Sequence, residues 1–265
     1  MKTFKHTVVY LILLLGALVM VFPFFWMLVS SLKTAAEVNT TPPTFWPQNL
    51  MFENYSYAFE KAPFLLYFKN SVLVTISCVA LTVFTTILAA FAFSRLKFPG
   101  RDLLFSLLLA MMMIPFEILI ITNYTTVVKM GLIVPFTSSI FYTYILRNFF
   151  LSIPDSLYYS ARVDGANNWR YLWRIMVPIA KPALVTIALL NAIASWNSFL
   201  WTMIATNSTA VRTLPFGLYA FMSSSGIRYE RLMAAATIVV VPMILLFVLF
   251  RKNIVSGVSR GGLKG

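Results

Sequence analysis

The stretch SARVDGANNWRYLWRIMVPIAKPAL, Ser160 to Leu184, sets four basic side chains, one acid, two tryptophans and an Asp-Gly pair between long apolar runs. Asp164-Gly165 is a turn signal, because glycine accepts backbone angles that other residues avoid. Upstream, Pro154 and Asp155 read as a helix start; downstream, Asn167 or Asn168 can cap a second helix. In that second helix Trp169, Leu172, Trp173, Met176 and Val177 recur at i, i+3, i+4, i+7 and i+8, the spacing of one helical face. Arg170 and Arg174 share the opposite face, and Pro178 is expected to end the run. The segment 152–182 therefore predicts a short amphipathic helix–turn–helix. Such a hairpin can lie in the lipid headgroups, tryptophans down and arginines up. It can instead protrude as a knob that inserts into a partner and passes force to the span that follows.

The flanks of this segment decide the solvent. Of 265 residues, 60% are hydrophobic and 11% charged, against about a quarter charged in soluble domains; the mean hydropathy is +0.82. Charge-free runs extend from Lys5 to Lys33, Lys69 to Arg95, Lys181 to Arg212 and Arg231 to Arg251. Each supplies the roughly 20 apolar residues that cross a bilayer core as a helix. Two shorter runs, Asp102 to Glu117 and Lys129 to Arg147, reach that length only with their flanks. The expectation is an all-α membrane protein, a single transmembrane domain over residues 1–265. Six transmembrane helices are expected near 8–30, 71–94, 103–121, 132–150, 183–204 and 232–250, with the helix–turn–helix between the fourth and fifth. The first run is too long for a signal-peptide core, and no small-residue cleavage site follows it, so it reads as an anchor.

Charge sets the orientation. One set of alternate loops holds fourteen Lys and Arg, including both chain ends and the 152–182 segment, and the other set holds seven. This asymmetry puts both termini and the hairpin in the cytoplasm of a multi-pass chain surrounded by membrane lipid. The net charge of +13 is thus a topology signal. Its spread over four short segments argues against nucleic acid as a partner. A lone Cys78 and a lone His6 leave no disulfide and no metal centre to expect. No Gly-Lys pair marks a phosphate-binding loop, and no catalytic constellation is expected.

Between the first two spans, Pro42, Pro43 and Pro47 bar a long helix. The segment is rich in aromatics (Trp46, Tyr55, Tyr57, Phe59, Phe64). It reads either as an aromatic belt at the membrane surface or as a docking surface for an extracytoplasmic partner. Within the spans, polar side chains are costly unless they face protein or a water-filled path. Asn191, Ser195 and Ser198 recur at i, i+4 and i+7, with Trp196 and Asn197 between them. They line a translocation path or join helices by hydrogen bonds. Glu117 sits toward the outer half of the third span, where a headgroup contact competes with a transport role.

Ser160-Ala161, three residues, Gly165, nine residues and Ile175-Met176-Val177-Pro178 resemble the EAA loop of ABC importer permeases, which reads Glu-Ala-Ala, three residues, Gly, nine residues, Ile-x-Leu-Pro. "ARVDGA", "PIAKPAL", "FAFSRLKFPGR", "MIP", "LRNFFLSIPDSL", "WNSFLW", "TLPFGL" and "GLKG" are similar, in order, to the carbohydrate-uptake, maltose-type branch. The motif's acid falls on Tyr159, so an ion pair from that position is not expected. The stretch between Lys129 and Arg147 is also shorter than usual for the branch, which predicts an offset or tilted fourth span. The resemblance implies a permease subunit without chemistry of its own, in a bacterial or archaeal cytoplasmic membrane. A second permease subunit pairs with it, and two cytoplasmic ATPase subunits, which use ATP and Mg, dock on the loop; an extracytoplasmic solute-binding protein delivers the sugar. Tyr159, Ser160, Ala161, Asp164, Gly165, Trp169, Trp173, Ile175 and Pro178 would form the coupling loop. Import of a non-sugar solute, a glycerol phosphate ester or a peptide, is the alternative within the class. A self-sufficient ion-coupled carrier would need ion-binding residues in its spans, where Glu117 alone is available.

Overall fold

The computed structural model describes residues 2–115, 117–120, 132–222 and 227–261. Among the described residues every regular element is helical. The helices are α1 (Lys2–Ser31), α2 (Ala35–Val38), α3 (Glu53–Lys61), α4 (Phe64–Arg95), α5 (Arg101–Met111), α6 (Ile140–Leu151), α7 (Asp155–Val163), α8 (Asn168–Ile179), α9 (Lys181–Trp196), α10 (Phe199–Ala205) and α11 (Tyr229–Gly261). Tight 3-10 turns occupy Val134–Phe136, Thr209–Val211 and Leu214–Phe221, and the backbone is helical at 117–120. Three segments are long and apolar enough to cross a membrane: His6–Ser31, Phe64–Arg95 and Tyr229–Leu249. A fourth candidate is the pair α8 and α9, bent by 78°. Contacts divide the chain into two compact units. One comprises residues up to Tyr67 with Leu214–Leu245, the other Phe68–Thr213 with residues from Leu246.

In the first unit, the segment after α1 is folded onto that helix's end. Thr34 and Glu37 form a capping box that starts α2. The Asn54 amide donates to the carbonyls of Ser31 and Lys33, both at 2.9 Å, and the Ser31 and Tyr55 hydroxyls bond at 2.6 Å. Lys33 Nζ donates to the Thr44 carbonyl and sits 4.5 Å from the centre of the Trp26 ring. Phe45 and Trp46 turn back edge-on against Trp26 and Phe25, at 5.9 and 5.6 Å between ring centres. This sets them beside the last turns of an apolar span, the level of an aromatic belt. Phe64 is buried between Phe59 and Phe221, and the turn Leu214–Phe221 supplies Gly217 against its ring.

In the second unit, three expected spans are interrupted, two at prolines and one at polar residues. The third, expected over 103–121, stops at Met111. Pro115 has no N–H, and its ring clashes with the carbonyl four residues back, which is that of Met111. Residues 116 and 121 of that expectation lie outside the described residues. The fourth, expected from 132, holds a 3-10 turn with Pro135 at its start and becomes α-helical only at Ile140, after Ser139 caps the Tyr142 amide. The freed carbonyls of Phe136 and Thr137 accept the hydroxyls of Thr82 and Thr85 on α4, at 2.5 and 2.6 Å. Non-helical backbone in an apolar environment requires such partners. The fifth, expected over 183–204, breaks between α9 and α10 at Asn197 and Ser198, where polar side chains compete with the helical ladder. The core of this unit is Ile87, Phe91, Leu146, Phe150, Tyr171, Leu172, Met176 and Ile187, which joins α4, α6, α8 and α9.

Candidate functional site

The hairpin is built around one left-handed residue. α7 ends at Val163, and Gly165 has φ +74°, a conformation that costs an L-residue with a Cβ about 1–2 kcal/mol. The Ala166 N–H reaches back to the Ala161 carbonyl at 2.9 Å, and the Gly165 N–H to that of Arg162 at 3.1 Å. This pair is the Schellman closure of a helix C-terminus, and the alanines it brings together, Ala161 and Ala166, are both buried. The Asn167 carboxamide oxygen then accepts the Arg170 N–H at 2.8 Å and starts α8. Two short helices are thereby held in a fixed turn.

The face that α8 buries differs from the expected one. Tyr171, Leu172 and Met176 are at most 1% exposed, whereas Trp169 is 58% exposed. Trp173 and Ile175 are half-buried, Trp173 stacking on Phe84 of α4 at 6.2 Å. Leu172–Met176 is a π-helical segment, whose i→i+5 bonding widens the turn and rotates the buried face toward Tyr171. The same segment corrects the expectation for Pro178. The backbone stays helical through Ile179, because the wider turn ahead of the proline accommodates its ring, and the 78° bend into α9 follows at Ala180. Tyr159, Ser160, Asp164, Trp169 and Pro178 are exposed, and Ala161 is buried.

One arginine anchors the hairpin and a second ties together the helices beside it. Arg95, at the end of α4, pairs with Asp155 at the start of α7 and donates to the carbonyls of Phe150 and Ile153 at 2.7 and 2.6 Å. Arg147 on α6 donates to the Phe93 carbonyl at 3.1 Å and lies 4.3 Å over the Phe105 ring. In sequence both are simply charges that end apolar runs. Their places at the ends of apolar runs were the available signal, since the last carbonyls of a helix attract cations.

A second site lies where α9 breaks. A cavity of about 90 Å³ is lined by Cys78, Phe136, Asn191, Ser195, Ser198, Trp201, Thr202 and Thr213 among others. Asn191, Ser195 and Ser198 thus meet, although the helix that was to align them ends at Trp196. Asn191 is 8% exposed, and its Oδ1 has no hydrogen-bond partner. Trp196 instead packs edge-on against Phe68 at 5.8 Å. Asn197 and Glu117 are exposed and do not line this cavity. Near the C-terminus Gly257, Ser259 and Gly261 spell G-x-S-x-G. That pattern makes a nucleophile only on a strand-to-helix turn, and here the backbone is helical throughout.

Residues 82–260 match the family described as "Binding-protein-dependent transport system inner membrane component". The chain is 31% identical over 259 residues to the arabinooligosaccharides transport system permease protein AraQ of Halalkalibacterium halodurans, covering 94% of this chain and 93% of that protein. It is 31% identical over 266 residues to the diacetylchitobiose uptake system permease protein NgcG of Streptomyces coelicolor, covering 94% and 86%. Its fold is similar to a chain in the crystal structure of a bacterial ABC transporter involved in the import of the acidic polysaccharide alginate. There the TM-score is 0.81 at 22% identity, with 95% of this chain and 96% of that one covered.

Proposed function

Because this chain belongs to the inner membrane components of binding-protein-dependent transport systems, we propose that it is the permease subunit of an ATP-binding-cassette importer that moves a sugar or oligosaccharide inward. Six membrane spans with both termini cytoplasmic complete the reading, the third to fifth being interrupted ones. The 152–182 hairpin is the coupling element on which two cytoplasmic ATPase subunits dock; they use ATP and Mg, while this chain performs no chemistry. A second permease subunit and an extracytoplasmic solute-binding protein complete the assembly, and residues 1–265 work as one permease.

The observation that carries the reading is the hairpin's architecture. Its outer side presents Tyr159, Val163 and Trp169, which are 63%, 88% and 58% exposed, while Leu172 and Met176 are buried against α4, α6 and α9. A push on the outer side cannot be absorbed locally, because a close-packed interior transmits strain. It passes through the bend at Ala180 into α9. Eleven residues on, about 16 Å along the axis, Asn191 opens the polar cavity. Amide, hydroxyl and indole groups there suit a sugar's hydroxyls and apolar faces. Differential affinity for the inward- and outward-open states is what lets ATP and solute bias the equilibrium.

The names of the relatives, arabinooligosaccharide and diacetylchitobiose systems, support sugar over a glycerol phosphate ester or a peptide. The test is reconstitution of the complete complex in proteoliposomes with its binding protein and a panel of labelled oligosaccharides. ATP-dependent accumulation of at least one is expected. Accumulation of a peptide or a glycerol phosphate ester, with every oligosaccharide inert, would replace the sugar reading.

A further inference from the structure

Arg95 and Arg147 do something that neither topology nor docking requires. Arg95 belongs to α4, yet it donates to Phe150 in the last turn of α6 and to Ile153 just beyond that helix; Arg147 belongs to α6, yet it donates to Phe93 near the end of α4. The last carbonyls of a helix have no partner within it and form its negative end, so each helix lends the other its capping cation. Arg95 also reaches Asp155 at the first residue of α7. Arg147 lies 3.7 Å from Asp102 and over Phe105, both on α5. Their side chains are only 7% and 16% exposed, so the two guanidiniums are withdrawn from the headgroups that topology charges usually face.

We propose that Arg95 and Arg147 form a reciprocal lock that fuses the ends of α4 and α6 and the start of α7 into one rigid body. They are then the positioning residues through which hairpin movement reaches α4 as well as α9. The proposal rests on the reading of 152–182 as the coupling element. It requires guanidinium, because at Arg95 one planar fork serves two carbonyls and a carboxylate at once, and at Arg147 one plane donates to the Phe93 carbonyl while lying over the Phe105 ring.

The experiment compares Arg95→Gln, Arg147→Gln, the double variant, Arg95→Lys and Arg147→Lys in the purified complete complex. Each is read by solute moved per ATP hydrolysed. Each Gln variant is expected to assemble with its ATPases and hydrolyse ATP while the ratio falls by about tenfold. The double variant is expected to fall no further than the worse single one, since a lock fails once. The Lys variants keep the charge but lose the fork, and should give intermediate ratios. Normal ratios in both Lys variants overturn the proposal, even if the Gln variants fail to assemble. Normal ratios in both Gln variants overturn it as well. Gly165→Glu, run in parallel and read by ATPase co-purification and uptake, separates the premise: if it keeps both, the hairpin reading fails, whereas loss of docking in Gly165→Glu with normal ratios in the Gln variants defeats only the lock.

Discussion

Gly165 separates the turn from what docks on it. A Cβ built there meets no atom within 4 Å, so substitution costs only the left-handed backbone at φ +74°, about 1–2 kcal/mol for an L-residue. That cost is common to Gly165→Ala and Gly165→Glu, and smaller for Gly165→Asn, since asparagine tolerates the conformation. Against a total stability of about 5–15 kcal/mol, all three variants should fold and insert. They diverge once an ATPase covers the turn. A glutamate there buries an unpaired charge in the interface, a penalty of about 3 kcal/mol, or more than about a hundredfold in docking affinity. The assay is co-purification of ATPase subunits with the tagged permease, together with ATP-driven uptake in proteoliposomes. Asn and Ala should retain most of both, and Glu should lose both at unchanged membrane level. Equal losses in Ala and Glu would mean that the turn's shape alone decides docking, and would refute burial of this position under an ATPase. Normal uptake with Glu would leave the hairpin a headgroup-lying one.

Trp173→Ala should reduce uptake in the same direction as Gly165→Glu but less severely, because it removes the stack on Phe84 without blocking the outer side. Ala at Asn191, Ser195 and Ser198 should shift the solute concentration for half-maximal uptake while the complex stays assembled; loosening in detergent with unchanged selectivity would assign these residues to helix joining. Gly217→Ala should lower thermal stability in detergent by about 1–3 kcal/mol, since the new Cβ would stand 2.4 Å from the buried Phe64 ring; an unchanged melting temperature would contradict the packing described. The Glu37 carboxylate accepts backbone N–H bonds from Thr34 and Gln48, which hold its pKa below the ordinary 4.5. Its stabilisation is therefore full above that value and lost as pH falls through the depressed native one. Amide exchange over 33–50 should rise in acid relative to Glu37→Gln, and parallel behaviour of the two proteins would refute the linkage.

The turn at Gly165 and the helix start at Asn167 were legible in sequence because their signals are local. Asp164-Gly165 demands a turn, Asn167 a cap, and the apolar spacing a second helix. The buried face of α8 was misjudged because a π-helical stretch leaves no mark in a 3.6-residue count, which hid Tyr171 and let Pro178 read as a terminus. Long uninterrupted spans were equally plain, α1 and α11 above all. The interruptions at Pro115, Pro135 and Asn197 were visible as prolines and polar residues. Whether each would kink, unwind or end a helix depended on acceptors and donors elsewhere in the chain, such as the Thr82 and Thr85 hydroxyls over fifty residues away. Arg95 and Arg147 escaped for a related reason. A charge at a span's end looks the same whether it faces headgroups or the carbonyls of a neighbouring helix.

The central claim, that the outer side of the 152–182 hairpin is the ATPase docking surface, is tested most directly by thiol cross-linking in the assembled complex. The one native cysteine, Cys78, is buried and is replaced by serine; Val163, 88% exposed, and Trp46, 68% exposed, are each changed to cysteine. A short bifunctional reagent should join Val163→Cys to an ATPase subunit, with a yield that changes when ATP is bound, and should leave Trp46→Cys without any ATPase adduct. An ATPase adduct from Trp46→Cys, or none from Val163→Cys in a complex that still hydrolyses ATP, would contradict the claim.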